Sequence, residues 1–208
     1  METQPDFREL LALFSAHHVE YLIVGGYALA FHGAPRFTGD LDILVHPDAV
    51  NAQRILTVLE AFGFASVGMT SNNFERPDQV VQLGVPPVRI DLITSITDVS
   101  WDEAWAGRIA GSYGDIPVYY IGREQFIVNK RATGRTKDLA DLEMLGGSVK
   151  PSAHQQRRQR HHTAEVGRDA QHSPAAKRRQ RTSLRAATNW VRLPSRRCFR
   201  PPRRLSVG

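Results

Sequence analysis

Val24-Gly25-Gly26-Tyr27, followed by Arg36-Phe37-Thr38-Gly39-Asp40-Leu41-Asp42-Ile43-Leu44-Val45, is the stretch on which the fold turns. Residues two apart on a strand share a face, so a strand over 40–45 carries the carboxylates of Asp40 and Asp42 on one side and sends Leu41 and Ile43 into the core. Upstream, Tyr21-Leu22-Ile23-Val24 reads as a buried strand ended by the glycine pair. A short helix over 27–32 then stops at Gly33-Ala34-Pro35, because proline disfavours helix in the residue before it. A third carboxylate comes from Arg89-Ile90-Asp91-Leu92-Ile93. Asp91 faces the same side as the other two if its strand neighbours theirs. Any one of these aspartates, taken alone, reads as a solvated strand-end residue. Three of them among Leu, Ile and Val are costly to gather unless a cation neutralises them. Hard oxygen donors of this kind suit Mg2+ or Mn2+ rather than zinc.

Phe7, Leu10, Leu11 and Phe14 recur at helical spacing and predict an amphipathic first helix. Pro47-Asp48 opens another, with Ile55, Val58, Leu59 and Phe62 as its apolar stripe and Gly63 as its stop. Strands are expected over 79–83 and 88–94, a short helix over 102–106, and a hairpin of 108–112 with 116–121 turning near Gly114-Asp115. Two last helices follow, over 123–131 and 137–145, the second with Leu139, Leu142 and Leu145 inward and Gly146-Gly147 as its end. Helices interleaved with strands in this way predict an α/β (α+β) fold, a mixed sheet flanked by helices, over residues 1–147. Trp101, Trp105, Tyr119 and Tyr120 read as core or cover residues. The histidines form no zinc-spaced set.

Gly25-Gly26 followed by Arg36-Phe37-Thr38-Gly39-Asp40-Leu41-Asp42, with Asp91 later, resembles the DNA polymerase β-like nucleotidyltransferase superfamily. Within it the chain looks closest to the small bacterial branch of minimal nucleotidyltransferases and AbiEii-type toxin or abortive-infection proteins. The resemblance spans about residues 5–147. It implies that Asp40, Asp42 and Asp91 hold two Mg2+ (or Mn2+) ions against a nucleoside triphosphate, one acidifying the acceptor hydroxyl and the other steadying the departing pyrophosphate. Asp91 would double as general base. Gly25 and Gly26 match the family's phosphate-binding turn, with Tyr27 opening the helix behind it; many members have Gly-Ser there, so this chain offers backbone without a serine hydroxyl. Arg36 and Thr38 match an Arg-x-Thr that precedes the aspartates, where the arginine touches phosphate or organises the loop. Lys130, Lys137 and Asp138 resemble a basic and acidic group near the nucleotide. On the residues alone, Arg36 reads equally as a surface loop cation, and the other three read as a charged helix face.

The implied activity is transfer of a nucleoside monophosphate from an NTP to an acceptor hydroxyl: a tRNA end, a protein side chain or a small molecule. A homodimer or a toxin–antitoxin partner fits the branch. The rival reading is a catalytically silent member serving as a binding or antitoxin-type partner, which has no need to keep three gathered carboxylates.

At 208 residues the chain fits one domain with an appendage. Residues 1–149 carry 11 Lys+Arg against 19 Asp+Glu, a net of −8, whereas residues 150–208 carry 16 against 2, a net of +14. The high pI therefore belongs to the tail, and an acidic domain that binds a triphosphate needs divalent cations between the two. Residues 148–208, with runs such as Lys-Arg-Arg-Gln-Arg and Pro-Pro-Arg-Arg, hold too few apolar clusters to offset chain entropy and are expected to be disordered. They read as an RNA- or DNA-binding arm or, preferably, as a shifted-frame extension that begins at a clean domain end. A single cysteine, Cys198, excludes an intrachain disulfide. No apolar run approaches the roughly 18 residues of a membrane span, and the acidic N-terminus lacks a signal core, so a cytoplasmic location is expected.

Overall fold

In the computed structural model the described residues are 3–64 and 68–146, together with the backbone of 189–192. Helix α1 (Pro5–Ala16) begins on a proline, whose fixed φ suits a first turn, and buries Phe7, Leu10, Leu11 and Phe14. Strand β1 (Tyr21–Ile23), helix α2 (Gly25–Phe31) and strand β2 (Asp40–Val45) form the unit around the glycine pair. Helix α3 (Ala49–Leu59) is capped by Asp48, whose carboxylate accepts from the Val50 and Asn51 amides. It runs into a π-type turn (Glu60–Phe64) broken at Gly63, where φ is 100°. Helix α4 (Asn72–Glu75), strands β3 (Gln79–Val85) and β4 (Val88–Ile93), helix α5 (Trp101–Ala106), strands β5 (Ile109–Tyr113) and β6 (Ile116–Tyr120), and helices α6 (Arg123–Thr133) and α7 (Thr136–Met144) complete the domain.

The sheet runs β5-β6-β1-β2-β4-β3-β7, where β7 is Asn189–Arg192. It is mixed: β1 pairs antiparallel with β2 and parallel with β6, while β4 pairs parallel with β2 and antiparallel with β3. The expected α/β sheet flanked by helices is thus the observed one. Its core joins the inward residues of α1 and α3 to Leu41, Ile43, Ile90 and Leu92 of the central strands. Each such side chain contributes about 1.5–3 kcal/mol on burial. One inward residue of α3 is polar. Asn51, fully buried, accepts from the Glu20 amide and donates to the Glu20 and His46 carbonyls, so it ties the start of β1 to the end of β2.

Three sequence expectations need adjustment. The helix after β1 starts at Gly25, not Tyr27, so both glycines lie in its first turn. Helix α4 was not foreseen, since its four residues are too few to show a period. The inward face of α7 carries Asp138, Asp141 and Leu142, with Leu139 and Leu145 only half-buried. Within the segment expected to be disordered, Asn189–Arg192 runs parallel to β3, on what would otherwise be a free sheet edge. The rest of that segment lies outside the described residues. Trp101 and Trp105 stack on each other and cover the core, as expected of them.

Candidate active site

The parallel pairing of β2 with β4 sets Asp42 directly across from Asp91, and Asp40 across from Arg89. Because the strands are parallel and in register, Asp40, Asp42, Arg89 and Asp91 share one face while Leu41, Ile43, Ile90 and Leu92 take the other. The three carboxylates converge, offering one oxygen each with all three atoms within 4.8 Å of one another. Asp91 is buried; Asp40 and Asp42 are partly so.

Their environments differ. Burial pushes Asp42 up to about 6, with the charges of Asp40 and Asp91 adding to the effect and Lys130 and Arg89 opposing it. Burial also raises Asp91, against the pull of Arg89. For Asp40 burial acts upward too, but the Thr38 hydroxyl, which donates to Oδ1 at 2.5 Å, and the charges of Arg89 and Lys137 leave it below its ordinary value. Arg89 is the cation at the centre: its Nη2 contacts Oδ2 of Asp40 and lies 3.0 Å from Oδ2 of Asp91. Oδ1 of Asp91 is buried with no hydrogen-bond partner.

These features fit a divalent metal. The donor set is all carboxylate, a protein cation already bridges two of its members, and one buried oxygen has no other partner.

The glycine pair is required by close approach. At Gly25 φ is +61°, and a Cβ there would fall 1.9 Å from Oδ2 of Asp42; at Gly26 it would fall 2.9 Å from Thr38. The first turn of α2 therefore lies directly against Asp42 and against Thr38, the residue whose hydroxyl holds Asp40. We expect Gly25→Ala to cost about 1–3 kcal/mol in urea unfolding and to weaken Mn2+ binding by displacing Asp42. A variant with unaltered stability and metal affinity would show that this packing is not needed.

Two of the basic residues singled out from the sequence, Lys130 and Arg36, belong to a second cluster. Lys130, on α6 and buried, donates to Asp138 at 2.6 Å and to Asp141 at 2.9 Å. Arg36 grips Asp141 through Nε at 2.7 Å and Nη2 at 3.3 Å. Arg135 and Thr133 also donate to Asp138. Burial would raise Asp138, but the hydrogen bonds from Arg135, Lys130 and Thr133 outweigh it and bring its carboxyl down to about 2. Lys137 stands apart from this network: it is exposed, and its charge acts on Asp40. Thr38 acts on Asp40 directly, and Tyr27 feels the Asp40 charge from α2.

Two residues escaped the sequence reading. Arg89 carried a signal, since it lies two positions before Asp91 and so on the same strand face. Asp141 carried a weaker one: Asp138, Asp141 and Leu142 have the i, i+3, i+4 spacing of an inward helix face, which the leucine pattern obscured.

Fold and site together define an α/β domain with a carboxylate triad on adjacent parallel strands. No protein-family model matches the chain, and no curated protein matches it. Among solved structures it is similar to a Thermotoga maritima protein provisionally named as a nucleotidyltransferase (14% identity, covering 68% of this chain and 93% of that one, TM-score 0.46). It is also similar to the lincomycin-bound lincosamide antibiotic adenylyltransferase LnuA (16%, 71% and 98%, TM-score 0.44). A third is the antibiotic-resistance factor ANT(2'')-Ia (14%, 78% and 94%, TM-score 0.46). Among the described residues no helix is long and apolar enough to cross a membrane.

Proposed function

We propose that the protein is a metal-dependent nucleotidyltransferase of the DNA polymerase β-like superfamily, moving a nucleoside monophosphate from an NTP to an acceptor hydroxyl. The observation that carries this reading is the convergence of Asp40, Asp42 and Asp91 against the first turn of α2. These three carboxylates would hold Mg2+ or Mn2+, which supplies the charge that acidifies an acceptor hydroxyl and stabilises a pyrophosphate leaving group.

The acceptor oxygen forms a bond to the α-phosphorus, the bond from that phosphorus to the bridging oxygen breaks, and pyrophosphate leaves. Asp91 takes the acceptor's proton as the general base. Thr38 holds Asp40 in orientation through the hydrogen bond to Oδ1. Gly25, Gly26 and Tyr27 line the phosphate side with backbone. Lys137 supplies exposed positive charge to the nucleotide, while Arg36 and Lys130 act from behind, through Asp141, on the loop that leads into β2. The small bacterial AbiEii-type branch remains our assignment on the motif, and with it a partner protein or a second copy.

The test is to incubate the protein with each labelled NTP, Mg2+ or Mn2+, and total RNA or lysate, beside an Asp40→Ala/Asp42→Ala control. Metal-dependent label transfer lost in the control is the expected result, and the labelled species identifies the acceptor as RNA, protein or small molecule. Absence of transfer with every nucleotide and metal would overturn the reading in favour of a silent binding module.

A further inference from the structure

The side chain that bridges two members of the carboxylate cluster is a cation of the protein itself. Arg89 reaches Asp40 and Asp91 with the same Nη2, and its Nε is buried with no hydrogen-bond partner. A guanidinium usually meets a carboxylate as a fork, with two parallel N–H···O bonds. Here one nitrogen spans two carboxylates and another is left unsatisfied. That is the arrangement of a counter-ion balancing a group of charges, not of a dedicated pair. By contrast Arg36 engages Asp141 through both Nε and Nη2. The same chain thus shows what a settled arginine–carboxylate pair looks like.

Charge makes the Arg89 contact provisional. Three carboxylates need compensation, and among the described residues Arg89 is the cation that touches them, with the charges of Lys130 and Lys137 acting on Asp42 and Asp40 as well. A divalent cation on the same oxygens would face the guanidinium at short range in a partly buried site, where like charges repel strongly. Arg89 is anchored on β4 two residues from Asp91, and its side chain is 29% exposed, so it has a route to solvent on the site's own face.

We infer that Arg89 is a further substrate-binding residue: divalent metal displaces its guanidinium from Asp40 and Asp91, and the freed guanidinium then binds the phosphates of the incoming nucleotide. This rests on the metal-site reading above. It adds a residue that the motif does not contain, and it makes a signed demand that mere structural support does not. Removing the charge must help the metal and hurt the nucleotide.

The experiment measures two affinities in Arg89→Gln and Arg89→Met beside the unaltered protein. Mn2+ binding, followed by electron paramagnetic resonance without nucleotide, is expected to tighten by roughly threefold to tenfold. Nucleotide binding at saturating Mn2+, followed by calorimetry, is expected to weaken by roughly tenfold. Unchanged or weaker Mn2+ binding in the variants, with normal binding in the unaltered protein, overturns the inference and leaves the metal site standing. Unchanged nucleotide binding also overturns it. Failure of every protein to bind Mn2+ overturns the metal site and this inference together. A measurement without substitution guards against misfolded variants: the side-chain Nε–H resonance of Arg89 must shift when Mg2+ is added to the unaltered protein, and a resonance that stays in place counts against displacement.

Discussion

Asp42→Asn is expected to make the metal-free domain more stable at neutral pH while lowering nucleotidyl transfer by about a thousandfold or more. The folded protein holds the Asp42 carboxyl at about 6, against 3.8 for an ordinary one. Between those values the folded state binds the proton more readily than the unfolded state does, so protonated Asp42 favours the fold at low pH. That advantage is complete below about pH 4 and is lost as pH rises through 6. Above it, an ionised Asp42 beside Asp40 and Asp91 costs the fold on the order of 1–3 kcal/mol. Asparagine keeps the shape and removes the charge. The variant should therefore melt roughly 3–8 °C higher at pH 7.5, and the gain should vanish near pH 4. Added Mn2+ should narrow the difference at pH 7.5, because only the unaltered protein gains from binding. A variant less stable than the parent at pH 7.5 without metal would show that the carboxylates are not in conflict, and with that the case for a cation between them weakens.

Lys130→Met is the opposite kind of change, with a cost to stability of about 3–5 kcal/mol. The Lys130 side chain is 7% exposed, and the side chains of its two partners, Asp138 and Asp141, are each 1% exposed. Removing the ammonium leaves two buried carboxylates with Arg135, Thr133 and Arg36 as their remaining side-chain donors among those described above. The effect has a pH signature. Asp138 is held down at about 2 in the fold, so its ionised form contributes stability above the ordinary carboxyl value, and that contribution disappears as pH falls from there towards 2. The loss caused by the substitution should therefore shrink in acid. Urea unfolding at pH 7 and pH 3 measures both quantities. Adding Asp141→Asn to Lys130→Met should recover part of the loss, since a neutral amide no longer needs the cation. A loss under about 1 kcal/mol at pH 7 would mean that α6 and α7 do not depend on this network, and the proposed support of Arg36 from behind would fall with it.

The two substitutions separate the domain's charges into a cluster in conflict and a cluster in balance. Asp40, Asp42 and Asp91 repel one another, and among the described residues Arg89 is the cation in ion-pair contact with them, which suits a site that takes up cations. Asp138 and Asp141 are each matched by their own donors, which suits a structural lock between α6, α7 and the loop before β2. Both clusters are acidic in the sequence, and nothing in composition tells them apart.

Features set by neighbours along the chain could be read without a fold. Alternation places Asp40 and Asp42 on one face of β2 and Leu41 and Ile43 on the other, and helical spacing marks the buried faces of α1 and α3. The mixed sheet follows from the order of such elements. Tertiary structure alone decided which strand lies beside which, and so that Asp91 stands opposite Asp42 with Arg89 opposite Asp40. It also decided that Asp138 and Asp141 turn inward, because a buried carboxylate is tolerable only when its cations arrive from α6 and the loop before β2. Periodicity reports the side a residue faces. It carries no information about the charge that meets it there, which for Asp40 and for Asp141 includes an arginine about 50 and about 100 positions away in the chain.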